Sequence, residues 1–226
     1  MFSVLFEVNP YSAHWDGYLD RAKMLRPDLE QIDGFIENIR YRSLTRDGWI
    51  LSLSVWHDEK ALVRWRTKAR HHDVQAQGRA EILSDYHLRV GQITHDTDLP
   101  AGYELREQRL DETQIGAPTI VLRTAQHPEK SVSESIAQDV AKRLGLNPDA
   151  PGLVSWDVFD AVLQPGEVIL MTSWEHETAA QADQPASVRG DGTRTRRVRV
   201  IRDYGLADRR EAPQYYPEVI RSEPEP

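Results

Sequence analysis

At 226 residues the chain is long enough for one large domain or two of roughly 100 residues each, and 39% hydrophobic with 28% charged residues is a globular composition. The absence of cysteine excludes disulfides, thiolate catalysis and cysteine-bound metals, and fits a cytoplasmic location. Its 28 basic and 36 acidic residues give a net charge of −8, the wrong sign for a general nucleic-acid or anionic-membrane binder, and no window approaches the ~20 apolar residues of a membrane span.

The opening MFSVLFEVNP has no basic leader and alternates apolar residues, so it reads as a strand from Phe2 to Val8, ended by Asn9-Pro10. A helix is expected from Ser12, a candidate N-cap, with Trp15, Leu19, Ala22 and Leu25 as its apolar stripe. Gly34 opens a second strand, and Arg46-Asp47-Gly48 is a turn signal. Between Ile50 and Trp56 the residues Leu51, Leu53 and Val55 share one face of a strand, while Ser52, Ser54 and Trp56 share the other. Asp58 then caps a helix carrying Leu62 and Trp65, and Tyr86 to Val90 gives a last strand.

A shift of 118 residues aligns Gly34 with Gly152, Gly48 with Gly166, Trp56 with Trp174, and Asp85-Tyr86 with Asp203-Tyr204 without a gap. The chain therefore divides into a first unit at 1–96, a linker at 97–116, a second unit at 117–206 and a charged, proline-rich tail at 207–226. Each unit has the strand-helix-strand-strand-helix-strand order of the ferredoxin-like split unit. Both helices of such a unit lie on one face of its sheet, which leaves the other face bare and apolar. A second copy on the same chain covers it. The expected class is α+β: two tandem ferredoxin-like units packed sheet to sheet as a dimeric α+β barrel.

The segments SLSVWHDEKALVRW, QAQGR and DYHLRV, with a glycine-opened strand before them and a histidine six residues after Trp65, resemble the antibiotic biosynthesis monooxygenase family. The resemblance implies a barrel usually built from two subunits, with a homodimer as one assembly, and a pocket between sheet and helices. It also implies oxidation of an aromatic or polycyclic molecule by O2 without metal or flavin. On that basis His71 is the candidate base and Trp65 the residue that stacks on the substrate ring. Asn9, Phe35, His72 and Tyr86 are the candidate substrate contacts. Ala61 stands where cofactor-free members carry Asn, and His71 where they carry Tyr. Heme-degrading members use an Asn, a Trp and an axial His, for which this chain offers Asn9, Trp65 and His71 or His72, so a heme protein is an alternative. A binding protein without catalysis is another.

Plainer roles stand beside these. Trp65 is also a core residue of an amphipathic helix, and His71 and His72 a solvated helix end where a charged imidazole suits the negative pole. Trp56, Trp174, Tyr86 and Tyr204 recur in both units, as packing residues do. His57 and Glu59 lack a metal spacing, and no metal site is expected. In the second unit Pro185 should cut short the helix that faces Trp65 and His71 across the alignment, leaving one working pocket in 1–96. Arg194, Arg196, Arg197, Arg199 and Arg202 read as a solvated strand with ion pairs. The tail is expected to be disordered or to dock on a neighbouring subunit through Tyr215, Tyr216, Val219 and Ile220.

Overall fold

The computed structural model describes residues 1–129, 132–183 and 192–214. Tyr215, Tyr216, Val219, Ile220 and Pro185 lie outside the described residues. The first half runs β1 (Phe2–Pro10), α1 (Trp15–Glu30), β2 (Phe35–Ser43), β3 (Ile50–Trp56), α2 (Glu59–Thr67), α3 (Ala69–Gln77) and β4 (Leu83–Asp96). The second runs β5 (Thr119–Gln126), α4 (Ala137–Arg143), β6 (Leu153–Ala161), β7 (Glu167–Trp174), α5 (Glu177–Ala182) and β8 (Arg194–Gly205). Within each half the strands pair antiparallel in the ferredoxin-like order, β4-β1-β3-β2 and β8-β5-β7-β6.

The two sheets join at both edges into one closed eight-stranded barrel. One seam is short, Tyr41↔Ala161 to Ser43↔Phe159 between β2 and β6. The other runs from His87↔Gly205 to Asp96↔Arg196 between β4 and β8. The alternation read in the sequence decides what fills the interior. Leu51, Leu53 and Val55 point inward and pack with Leu5, Tyr41, Phe159, Ile169 and Val198. The opposite parity, with Phe2, Val8 and Trp56, packs under the helices. The segment after β4 is more than a linker. Leu99, Tyr103 and Leu105 pack against the interior cluster, and Gln92 Oε1 accepts from the backbone N–H of Gln108 and Arg109 at 2.8 and 2.9 Å.

Matched landmarks hold matched geometry. Gly34 and Gly152 adopt φ of 88° and 82°, and a Cβ on either would come within 2.7 Å of Ala61 or Ala179 on the covering helix. Trp56 and Trp174 are each 1% exposed, and each indole N–H donates at 2.9 Å to the hydroxyl two residues earlier, Ser54 or Thr172. Asp58 caps α2 as expected, its Oδ1 accepting from the Ala61 N–H at 2.8 Å. Asp58→Ala should therefore cost about 1 kcal/mol in urea unfolding.

Other expectations are corrected. Ser12 is not an N-cap; Ser12–His14 forms a 3-10 turn, and α1 starts at Trp15 without a side-chain cap. The β8 arginines do form ion pairs, Arg194 with Asp96, Arg197 with Glu177 and Arg199 with Glu107, but Arg196 is buried in the barrel against Glu37. The described part of the tail docks on its own chain: Glu211 accepts from Thr113 Oγ1 at 2.8 Å and from the Asp203 N–H at 2.7 Å. Among the described residues no helix is long and apolar enough to cross a membrane.

Candidate functional site

The outer face of the first half's sheet and its three helices enclose a cavity of about 420 Å³. Its floor is Val4 and Phe6 of β1, Leu88 and Val90 of β4, Tyr204 of β8, and a polar strip, Asn38 and Arg40 of β2 with Ser52 and Ser54 of β3. Leu25 and Leu29 of α1, Leu62 and Trp65 of α2, and His71, His72 and Val74 of α3 form its roof. This volume and this largely apolar wall suit a small organic ligand. In the second half the corresponding face is covered by α4 in a compact cluster of Val140, Ala141, Leu144, Val158 and Leu170, and α5 ends at Ala182, ahead of Pro185.

Trp65 and His71 meet because the helix breaks between them. Lys68 is extended (φ −62°, ψ 123°), so His71 sits in the first turn of α3 rather than at the end of α2. Lys68 and Arg70 pin this break to Asp28 of α1 at 3.0 and 2.8 Å. The imidazole stacks on the indole with centroids 4.1 Å apart and planes at 21°. His71 Nδ1 lies 3.0 Å from the Trp65 carbonyl at the C-terminus of α2, which also accepts from the Lys68 N–H at 3.2 Å. A carbonyl only accepts, so Nδ1 carries the proton and Nε2 the lone pair. Burial pushes the His71 pKa down to about 4, against the raising effect of that carbonyl. The imidazole is neutral at pH 7, not the solvated cation of the plainer reading.

Tyrosines line the other side. Tyr86 Oη accepts from Arg209, whose guanidinium also lies 5.8 Å from the Tyr204 ring centroid. Burial, and Tyr86 beside it, push Tyr204 up to about 12. Burial likewise raises the Tyr18 phenol, and Arg40 beside it opposes the rise.

Of the candidate residues, Trp65, His71, His72 and Tyr86 come together on this cavity, whereas Asn9 and Phe35 do not reach it. Asn9 has the inward parity of Glu7 on β1, and its side chain stands beside Gly48 in the β2–β3 turn. Phe35, directly after Gly34, packs edge-on against Trp56 at 5.4 Å. The cavity also brings in Tyr18, Arg40, Arg202 and Tyr204, which sequence reasoning missed. A signal for Arg40 was present: Asn38, Arg40, Ser52 and Ser54 are polar on a face that helices cover, where apolar residues would be the default.

A family model described as antibiotic biosynthesis monooxygenase matches residues 1–77. A curated protein of Pyricularia oryzae, named jasmonate monooxygenase, is 49% identical over 223 residues, covering 96% of this chain and 99% of that protein. Among solved structures, an aldoxime dehydratase superposes with a TM-score of 0.55 at 14% identity, over 88% of this chain and 80% of that one. A second, solved with butyraldoxime, does so with a TM-score of 0.55 at 11% identity, over 92% and 80%. The dehydratases share the fold. The near full-length relative does more, and by it the chain belongs to the antibiotic biosynthesis monooxygenase family.

Proposed function

We propose that the cavity is the active site of a monooxygenase that puts one atom of O2 into a small ring-bearing molecule without metal or flavin. The observation that carries this reading is the stacked Trp65–His71 pair in an otherwise largely apolar wall. The name of the relative supports a jasmonate-type substrate, a cyclopentanone acid, beside the aromatic or polycyclic molecules that the sequence suggests. Both classes carry a C–H made acidic by a neighbouring carbonyl or ring.

His71 Nε2 takes the proton from that carbon, while the indole of Trp65 packs against the substrate ring. The carbanion gives one electron to O2, the two radicals combine to a hydroperoxide, and loss of water leaves a carbonyl. The balance is CH2 plus O2 giving C=O plus H2O, with every electron supplied by the substrate. Neutral His71 is ready as a base, and an anion formed beside it raises its pKa toward neutrality, which strengthens it as the proton moves.

The alternative is a heme protein, in which the lone pair of the same Nε2 would hold the iron and the group would supply iron-based oxygen activation. Oxygen uptake with jasmonate and with anthrone-type phenols, in excess chelator, tests the proposal. One O2 should be consumed per carbonyl formed, with one labelled oxygen atom in the product and one in water. Turnover that appears only with added heme, together with a Soret shift, would overturn it.

A further inference from the structure

Among the described residues six arginines line the cavity, Arg21, Arg40, Arg66, Arg79, Arg202 and Arg209, against one carboxylate, Glu59. Glu59 is itself committed to Arg109 at 2.7 Å. Elsewhere the chain pairs its buried arginines with acids: Arg89 with Glu7, Arg123 with Asp183 and Arg196 with Glu37. Among the described residues none of the six at the cavity stands in such a pair. Arg21 donates to the Gly17 carbonyl, Arg202 to the Glu211 carbonyl and Arg209 to a phenol, all neutral acceptors. A protein of net charge −8 has thus gathered around one cavity cations that, among the described residues, have no ion-pair partner within contact distance.

Arg40 is the one of the six that β2 carries. It stands on the sheet floor opposite Ser52, beside Asn38, whose Nδ2 donates to Ser52 Oγ at 3.0 Å. Its guanidinium faces the Tyr18 phenol, whose proton burial holds in place. Its Nε is buried with no hydrogen-bond partner among the described residues. An N–H removed from water without an acceptor carries a desolvation penalty that a ligand oxygen would relieve. The acceptor that matches the planar fork of a guanidinium has two coplanar oxygens and a negative charge. A phosphate would satisfy the charge, but Val4, Phe6, Leu88 and Val90 along the same floor call for an apolar body behind it.

We propose that Arg40 anchors the carboxylate of the substrate, and that the cavity selects a small amphiphilic monocarboxylate with its acid on the β2 side and its body over β1 and β4. The other arginines raise the local concentration of such anions. This assignment rests on the cavity being the substrate site of the proposed function, but not on the chemistry performed there.

The test is calorimetric titration of the full chain at pH 7 with jasmonic acid and with its methyl ester, which removes the charge and keeps the body. The acid should bind at least about ten-fold tighter than the ester, and Arg40→Gln should weaken the acid about 10- to 100-fold while moving the ester less than about two-fold. Arg40→Lys should recover part of the loss, since it keeps the charge without the fork. Equal affinity of the wild-type protein for acid and ester overturns the proposal, as does binding of neither, whether or not the variants fold. Parallel loss of acid and ester in Arg40→Gln also overturns it, because that marks a structural role. Selective binding of the acid without oxygen uptake leaves the anchor in place and removes the oxygenase reading alone.

Discussion

His71→Ala should lower turnover by about 10²- to 10⁴-fold, the range for loss of a positioned general base, with substrate affinity changed only a few-fold. Oxygen-electrode kinetics on the soluble variant give kcat and KM, and an unchanged kcat would remove His71 from the base role. The pH dependence sharpens the test. A base must be unprotonated, so kcat/KM should hold level through neutrality and fall as pH drops through the His71 pKa of about 4. With an anion bound nearby, the corresponding limb in kcat should lie at higher pH. Stability carries the same signature. The folded pKa lies below the ordinary 6.5, so protonation favours the unfolded chain. The stability is present above pH 6.5 and lost as pH falls toward 4, by on the order of 2–3 kcal/mol. His71→Ala should flatten that slope in thermal unfolding measured between the two pH values.

Leu170→Ala should do the opposite, costing about 2–5 kcal/mol of unfolding free energy while leaving the turnover of the remaining folded protein unchanged. Leu170 is 0% exposed and packs with Leu44, Val140, Val158 and Val168, in the half of the barrel away from the cavity. Removing its side chain opens a void inside this packed cluster. Urea unfolding monitored by tryptophan fluorescence, with activity normalised to the folded fraction, separates the two effects. A loss below about 1 kcal/mol would mean that the cluster collapses around the void. A matching drop in specific activity would mean that the second half feeds into the cavity.

Those two residues also mark how far the sequence could be read. Strands with one buried and one helix-covered face write their pattern into alternate residues, so Leu51, Leu53 and Val55 against Ser52, Ser54 and Trp56 were legible without coordinates. Gly34 and Gly152 were legible because only glycine meets the close approach of Ala61 and Ala179. The Trp65–His71 stack was half legible. Six-residue spacing does not bring two side chains together on one continuous helix, and the extended backbone at Lys68 that makes the contact has no glycine or proline to announce it. The arginines of the cavity were the least visible. They come from α1, β2, α2, the turn before β4, β8 and the tail, and only the closed barrel gathers them. Asn9 failed for a different reason. Its chemistry was suitable, but one step of strand parity turns it away from the cavity.

The barrel's two seams join sheets that belong to the same polypeptide, along β2 with β6 and β4 with β8. A barrel assembled from separate subunits is held by a bimolecular equilibrium, and mass action loosens it as the protein is diluted. Here closure is a unimolecular event whose cost is the entropy of one covalent loop, residues 97–118, a term that grows only logarithmically with loop length. The β4–β8 seam is paired from His87 to Asp96, which withdraws that edge as a template for edge-to-edge aggregation, whereas the β2–β6 seam pairs only three residues a side. The integrity of the barrel is therefore insensitive to concentration, so the cavity it carries persists in a cell that makes only a few copies of the chain.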